Sequence, residues 1–411
     1  MRNTSVLISG ASIAGPALAF WLARYGANVT VVESAPALRT GGQLVDVRGT
    51  ARGVLERAGL DDTVRAARTA AEGLSFVDSR GRRQASVRSD DFGGDGAVAE
   101  IEILRGTLSG IFHDATSETA EYVFGDRIVG LDERADGVHV TFERAPAGVF
   151  DVVIGADGLH SGVRDLLFGP DSAQLQHLGT YISFWTAENA GLKAWTEVYS
   201  EPGRTILTRA IRDDTAVMTA FSFRSAAFAY DYRDLDALKA VIRSRAAGMG
   251  WQADFLIGQI DQAPDFYFDS CSQVVLPRWS RGRIGLVGDA GYCASPLSGH
   301  GTSMALMGAY VLAGELARAA GDIPAGLRAY EARLRPWIMQ VHRMAQGNGK
   351  MMTPATQLGI EFRRRVVQLV EHLPFASRLS DDTQISSAFA LPDYTAFEVD
   401  RTPSSPEETR T

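Results

Sequence analysis

The sequence predicts an α/β fold in which a parallel-sheet domain is interrupted by an inserted antiparallel β-sheet and is followed by C-terminal helices. The N-terminal run VLISGASIAGPALAFWLARYGANVTVVES reads as a strand, a Gly-rich turn, a helix and a second strand. Much later, IGLVGDAGYCASPLSGHGTSMAL returns to a buried strand and a helix. Between them, from about residue 179 to 251, short β-type runs are separated by Gly, Pro or Asp. The parallel-sheet domain is therefore discontinuous in sequence.

The N-terminal turn carries most of a dinucleotide-binding fingerprint. Gly10 and Gly15 stand at its first and third glycine positions, and Ser12 replaces the second glycine. Serine is small, and its hydroxyl can donate to a phosphate. Glu33 ends the second strand about twenty residues after the turn, where the fingerprint places a ribose ligand. The segment predicts a Rossmann-like unit whose binding turn comprises Gly10, Ser12, Ile13, Ala14 and Gly15.

The segment from residue 285 to 306 indicates a second part of the same site. Asp289 follows an apolar strand, where a carboxylate can accept hydrogen bonds from ribityl or ribose hydroxyls. Pro296 marks a turn, and Gly299 and Gly301 remove side chains where backbone N–H groups approach a ring or anion. A helix is predicted from about Thr302, and its N-terminus favours negative charge. A planar, phosphate-bearing cofactor fits this combination.

A third segment, DVVIGADGLHSGVRDLLFG, places Asp157 after a buried strand between these two. Together the three segments resemble the single-component FAD-dependent aromatic hydroxylases, the para-hydroxybenzoate hydroxylase-like family, and in pattern the TetX-like monooxygenases most. The resemblance covers roughly residues 1 to 340. It implies that the N-terminal unit binds the ADP half of FAD. The GADG segment then serves FAD and NAD(P)H, and the GDA segment binds the ribityl chain and the flavin.

The resemblance also implies further cofactor-binding residues. EILRGTLSGIF makes Arg105 a flavin or pyrophosphate contact, with a surface-helix position as the alternative. GGQLVDVRG is similar to the loop beside the isoalloxazine, so Arg39, Asp46 and Arg48 are candidates too. His300 either contacts the flavin edge, acts near the substrate or only shapes its loop. The sequence identifies no catalytic side chain.

The domain boundaries follow from these segments. We predict an FAD-binding domain, a substrate-binding β-sheet domain, C-terminal helices and a disordered polar tail. They comprise, in that order, residues 1–75, 97–178 and 276–340; residues 76–96 and 179–275; residues 341–400; and residues 401–411.

The middle strands are rich in Phe, Trp, Met and Thr, which favours a broad apolar chamber for a bulky aromatic or polyketide-like substrate. Because successive strand residues face opposite sides, each candidate can instead belong to the core. The candidate substrate-binding residues are Phe184, Arg204, Arg209, Met218, Phe221 and Pro296.

Composition excludes several classes of protein. The 411 residues carry a net charge of −8 and no Lys/Arg run longer than the three residues 363–365, which argues against nucleic acid as a partner. Two cysteines and seven histidines show no spacing typical of a disulfide framework or a metal site. No apolar stretch reaches about 18 residues, so no membrane span is predicted. We expect a cytoplasmic protein that is a monomer or a weak homodimer.

The activity implied by the resemblance is oxygenation. NAD(P)H reduces FAD, dioxygen forms a flavin C4a-hydroperoxide, and its distal oxygen hydroxylates the substrate, in antibiotic or secondary metabolism. A Baeyer–Villiger or epoxidising variant stays open, as do a flavoprotein that sequesters a ligand without turnover and a flavin-free NAD(P) dehydrogenase. A halogenase is disfavoured, since its WxWxIP stretch is missing.

Overall fold

The computed structural model describes most of the chain, and the predicted disordered tail 401–411 lies outside the described residues. The described residues are 1–39, 41–69, 72–88, 99, 101–170, 174–192, 195–211, 214–370 and 385–399.

Eighteen strands lie in the described residues. They are β1 (Ser5–Ser9), β2 (Asn28–Glu33), β3 (Leu44–Val47), β4 (Gly73–Val77), β5 (Arg83–Arg88), β6 (Ile101–Leu104), β7 (Ala120–Phe124), β8 (Ile128–Arg134), β9 (Gly137–Phe142), β10 (Gly148–Phe150), β11 (Val152–Gly155), β12 (Gln174–Glu188), β13 (Trp195–Glu201), β14 (Arg204–Ile211), β15 (Ala216–Arg224), β16 (Tyr267–Val275), β17 (Ser280–Arg281) and β18 (Ile284–Leu286).

Eleven α-helices accompany them in the described residues. They are α1 (Ala14–Arg24), α2 (Ala51–Ala58), α3 (Asp61–Ala66), α4 (Arg105–Asp114), α5 (Gly162–Phe168), α6 (Leu235–Ala246), α7 (Ala253–Gly258), α8 (Asp289–Tyr292), α9 (Gly301–Arg318), α10 (Ile323–Met352) and α11 (Gln357–Val370). None of the helices in this part of the chain is both long and apolar enough to cross a bilayer.

The first large sheet carries the three Gly-rich segments that are predicted to bind the cofactor, called here the cofactor-type segments. Its strand order is β17-β18-β11-β1-β2-β7, and every pair is parallel except β17 with β18. The central strands are Val- and Ile-rich and buried, as expected for a parallel sheet covered on both faces. The predicted strand–turn–helix–strand unit is thus confirmed as β1-α1-β2. Because the carboxyl ends of β1, β11 and β18 lie side by side, the three Gly-rich segments that follow them meet at one edge.

The second large sheet has seven strands in the order β16-β12-β15-β14-β13-β4-β5. Its pairs are antiparallel except β13 with β4. The predicted antiparallel sheet is confirmed, with β12 next to β15 rather than next to β13, the strand that follows it in sequence. β12 lies between β15 and β16, since it pairs with β16 over residues 174–184 and with β15 over residues 180–188.

The two sheets meet through apolar contacts. Ile182 of β12 and Cys271 of β16 pack against Leu297, which lies in the turn between α8 and α9. Met218 of β15 packs in a cluster that includes Leu44 of β3. One face of the seven-stranded sheet therefore covers the edge where the Gly-rich segments meet.

Helix α10 links the two parts. Its C-terminal end reaches the seven-stranded sheet, where the Thr353 hydroxyl lies 2.8 Å from that of Ser222, and Thr205 donates to the Met352 carbonyl at 3.1 Å. Both contacts lie on the face that covers the cofactor-type segments, so α10 helps to hold the sheet in place over them.

The segment 385–399 packs back on the first domain. The Tyr394 hydroxyl donates to the buried Glu315 carboxylate of α9 at 2.6 Å. At its end, Glu398 pairs with Arg24 of α1 at 2.9 Å. The segment that follows the C-terminal helices thus contacts α1 and α9, the helices that follow the two cofactor-type turns.

Candidate cofactor and substrate site

The turn between β1 and α1 is built for close backbone approach. Gly10 has a φ of +107°, and a Cβ atom there would lie 2.6 Å from the Ala156 carbonyl oxygen. A Cβ atom at Gly15 would collide with the Gly10 carbonyl. Only glycine fits at either position, so the turn keeps its backbone close to the neighbouring strand.

Glu33 lies beside this turn at the end of β2. Its carboxylate accepts hydrogen bonds from the Ala11 N–H at 2.7 Å and the Ala35 N–H at 2.8 Å. The carboxylate is therefore held at the edge of the turn where the fingerprint places a ribose ligand.

Arg105 connects the turn to the second cofactor-type segment. It begins α4, and its Nε donates to the Ser12 hydroxyl at 2.9 Å. Burial raises the pKa of Asp289 above its ordinary value, and the nearby positive charge of Arg105 opposes that rise. Residues far apart in sequence thus bring a cation, a hydroxyl and a carboxylate to one cleft.

The segment before α9 exposes backbone to this cleft. Pro296, Gly299 and Gly301 are exposed, whereas the residues between and after them are buried. A Cβ atom added at Gly301 would meet nothing within 4 Å. Thr302 is buried in the first turn of α9, behind this surface. The open side of the segment is a strip at the N-terminus of α9 that carries no side chain beyond the Pro296 ring, which suits a planar or anionic group.

Asp46 and Arg48 border the same strip. Their side chains form an ion pair of 2.7 Å, and the Arg48 N–H donates to the Ser303 hydroxyl of α9 at 3.0 Å. The Arg48 Nε would lie 3.8 Å from a Cβ atom placed at Gly299. Part of the predicted loop 41–49 is a strand, because Leu44–Val47 pairs with β6. Arg39 is exposed in the segment after β2 and is not drawn into this group.

Asp157 is directed at its own helix. Its carboxylate accepts hydrogen bonds from the Ser161 hydroxyl at 2.5 Å and the Val163 N–H at 3.1 Å, at the start of α5. Burial raises the pKa of this carboxyl. Arg164 of the same helix donates to the Ala290 carbonyl at 3.2 Å and so joins the GADG and GDA segments. A cofactor contact for Asp157 stays a prediction.

His300 is turned away from the cleft. Its ring is fully buried, with Nδ1 2.7 Å from the Ser298 carbonyl oxygen and Nε2 2.9 Å from the Ser386 hydroxyl. Both nitrogens are occupied within the protein. Of the roles open for His300, this favours shaping the loop.

Three of the predicted substrate residues, Phe184, Met218 and Arg209, lie on the sheet face that covers the cleft. Phe184 packs with the cluster of Met218, which also contains Leu44 of β3 and Leu104 of β6. Arg209 stands opposite Met218 in the register and pairs with Glu102 of β6. Burial lowers the pKa of Arg209 to about 10, and the nearby negative charge of Asp46 opposes that shift.

Two other predictions are corrected by the structure. Phe221 faces the opposite side of the sheet, where it packs in the core with Leu238 and Ile242 of α6. The sequence of β15 does not show which of its alternating residues face the chamber and which face the core. The pairing of β15 with β12 determines this. Arg204 is the first residue of β14, where it pairs with Glu201 at 2.5 Å and donates to carbonyls at the C-terminal end of α6. Neither residue lines the chamber.

Sequence reasoning missed a polar group at the edge of the chamber. Asp269 of β16 is buried and bonds to His160 and Tyr267. The signal was available in YFDSC, where Asp269 follows Tyr267 by two residues and so shares its face of a strand. A buried aspartate in an apolar strand requires partners.

The arrangement fits FAD. A glycine turn with a nearby carboxylate suits the adenosine and pyrophosphate end, and the side-chain-free strip between Pro296 and Gly301 suits the flavin end. Arg105 and Asp289 lie between them, where phosphate and ribityl groups need a cation and an acceptor. The set of groups matches the chemistry of the cofactor along its whole length.

Comparisons with known proteins agree with this interpretation. A family model described as FAD binding domain matches residues 3–345. An uncharacterised protein of Mycobacterium tuberculosis is 45% identical over 81% of this chain and 90% of its own length. A flavin-dependent monooxygenase of Legionella longbeachae is 36% identical over 82% of this chain and 86% of its own length. The crystal structure of the tetracycline destructase Tet(51) is similar with a TM-score of 0.83 and 30% identity, over 96% of this chain and 100% of that one.

Proposed function

The chain belongs to the flavin-dependent monooxygenases that share this FAD binding domain, and we propose from this that it hydroxylates a bulky aromatic or polyketide-like molecule. In this proposal the enzyme uses NAD(P)H and dioxygen as co-substrates and acts as a monomer or a weak homodimer. The observation that carries it is the apolar sheet face closing over the strip at Gly299 and Gly301. A flavin ring on this strip would lie directly beneath the chamber.

FAD supplies the oxygen-activating chemistry when it is bound, and the protein positions it and excludes water. Glu33 and the Gly10 turn would hold the adenosine end, and Asp289 would accept from the ribityl chain. Leu297 and the sheet residues packed on it shield one side of the site from solvent.

The chamber wall supports a large apolar substrate. Phe184, Met218 and Leu207 lie in one apolar cluster with strands β3 and β6. The charge of Arg209 is offset by Glu102, so that wall offers little to anchor a small free carboxylate. A multi-ring molecule with hydroxyl groups suits these surfaces better than a small benzoate.

The proposed function is tested with the purified protein. We expect a yellow protein that releases FAD on denaturation, and NADPH oxidation that multi-ring phenols accelerate, with a product heavier by one oxygen. Para-hydroxybenzoate and tetracycline serve as comparison substrates. Efficient and fully coupled hydroxylation of the small benzoate alone would contradict the proposed substrate class. FAD binding without any ligand-stimulated NADPH oxidation would favour a protein that sequesters its ligand.

The substitution Asp289→Ala is expected to weaken FAD binding by about 0.5 to 3 kcal/mol, because it removes a hydrogen-bond acceptor for cofactor hydroxyls. Without FAD, the temperature of thermal unfolding should change little or rise slightly, because the substitution removes a carboxylate that is desolvated in the folded protein. The dissociation constant of FAD is measured by flavin fluorescence. Asp132→Ala, at an exposed position of β8, is the matched control. Equal FAD affinity in both variants would remove Asp289 from the site.

A further inference from the structure

The polar group beside the chamber is centred on Asp269 of β16, whose two carboxylate oxygens have different partners. Oδ1 accepts hydrogen bonds from the Tyr230 hydroxyl at 2.6 Å and the Ser270 N–H at 2.8 Å. Oδ2 accepts from the Tyr267 hydroxyl at 3.1 Å and lies 2.9 Å from His160 Nε2. Four groups therefore point at one buried carboxylate.

Asp269 is ionised in this setting. Burial alone would raise its pKa, but the hydrogen bonds from His160, Tyr230 and Ser270 outweigh burial and hold the pKa below its ordinary value. An ionised carboxylate only accepts hydrogen bonds. Each tyrosine hydroxyl in contact with it must consequently direct its proton at Asp269.

Tyr267 is the member of the group that faces the chamber. It stands opposite Phe184 in the register of β12 and β16, on the face of the sheet that packs against Leu297. Its ring is half-buried and lies 6.2 Å from that of Phe184. Arg105 and Asp289 of the cofactor cleft are among the charges that act on its hydroxyl. The hydroxyl thus lies between the chamber wall and the cleft.

A hydroxyl that donates its proton to Asp269 can still accept a hydrogen bond through its oxygen lone pairs. We infer that Tyr267 accepts a hydrogen bond from a hydroxyl group of the substrate and that Asp269 is the positioning residue that fixes this polarity. The inference rests on the proposed function and adds a requirement to it. The substrate carries a phenol or enol O–H near the ring edge that enters the chamber, and an ether or ketone at that place is disfavoured.

The first test compares a three-ring phenol, phenanthrol, with its methyl ether, methoxyphenanthrene. Binding to the FAD-loaded protein is followed by the change in flavin absorbance. We expect the unmodified protein to bind the phenol about tenfold more tightly than the ether, a difference of ~1.4 kcal/mol. In Tyr267→Phe this preference should disappear, because the acceptor is lost. Retention of the full preference in Tyr267→Phe would overturn the inference.

Tyr199→Phe is the matched control. Tyr199 lies on the outer face of the same sheet, where its hydroxyl donates to Glu201 at 2.8 Å. This substitution removes the same atom from the same sheet on the side away from the chamber. The preference for the phenol should be unchanged, and its loss would show that the effect in Tyr267→Phe is a general disturbance of the sheet.

The second test reverses the polarity. In Asp269→Asn, the Tyr230 hydroxyl and the Ser270 N–H both donate at the position of Oδ1, so the amide oxygen stays there and the amide N–H₂ takes the position of Oδ2. That group would donate to the Tyr267 oxygen, and the Tyr267 proton would turn into the chamber. We expect this variant to bind the ether at least as tightly as the phenol. A purely structural role of Asp269 would weaken both ligands equally, and that result would overturn the assignment.

These experiments distinguish a failure of the role inferred for Tyr267 from a failure of the proposed function. A protein that takes up FAD and oxygenates phenols without discriminating against their ethers would overturn the role of Tyr267 and leave the oxygenase function intact. A protein that binds no FAD would overturn the proposed function itself, and the inference with it.

Discussion

Replacing Gly301 by valine is expected to weaken FAD binding by roughly 10- to 100-fold while the protein still folds. A Cβ atom at this position meets no atom within 4 Å in the protein alone, so the added side chain has room until the cofactor enters. With FAD bound, the isopropyl group would occupy the strip on which the ring is placed. The flavin affinity and the visible spectrum of any retained flavin measure the effect.

The control for this substitution is Gly258→Val. Gly258 ends α7 on the far side of the seven-stranded sheet, is exposed and likewise has no atom within 4 Å of an added Cβ. Its FAD affinity and thermal unfolding should match those of the unmodified protein. If Gly301→Val also kept normal affinity, spectrum and reduction rate, the flavin would not lie on the strip before α9.

Arg105→Leu is expected to reduce FAD affinity by roughly 30-fold or more, because it removes a charge that we place on the cofactor's pyrophosphate or flavin. It also removes the hydrogen bond to the Ser12 hydroxyl of the binding turn. Arg105→Lys should recover part of the loss, since it restores the charge without the planar donor group. Arg134→Leu, at an exposed ion pair with Asp132, is the control.

The pH dependence of this variant gives a second measurement. The Arg105 charge opposes the rise that burial causes in the pKa of Asp289, so its removal raises that pKa further. The ionised carboxylate is the better acceptor for cofactor hydroxyls. FAD affinity should therefore fall as pH is lowered, and in Arg105→Leu the fall should begin at a higher pH than in the unmodified protein. Identical pH profiles would mean that the two side chains do not interact across the cleft.

The cofactor site could be predicted largely from sequence because its parts are local. Each Gly-rich segment follows directly on a buried strand, and a parallel sheet brings the carboxyl ends of its strands together. Gly10, Gly15 and Gly299 illustrate this, since a Cβ atom at the first two would collide with neighbouring backbone and the third has a φ of +65°. The placement of Arg105 needed the resemblance to a family, and the structure adds its partner Ser12.

The chamber was harder to predict because its residues are set by pairing between distant strands. Phe221 and Met218 lie on the same strand but on opposite faces, and only the register with β12 decides which side covers the cleft. Arg209 likewise acquires its partner Glu102 from another part of the chain. The sequence of a single strand does not determine which of its alternating residues face each side of the sheet.

Isotopic labelling shows whether the protein transfers an atom of dioxygen to its substrate. The FAD-loaded protein is given NADPH, the multi-ring phenol that most accelerates NADPH oxidation and dioxygen of the heavy oxygen isotope, and the product is weighed by mass spectrometry. We expect one heavy oxygen atom in the product for nearly every NADPH oxidised. Consumption of NADPH with hydrogen peroxide as the only product, or oxygen that derives from water, would contradict it.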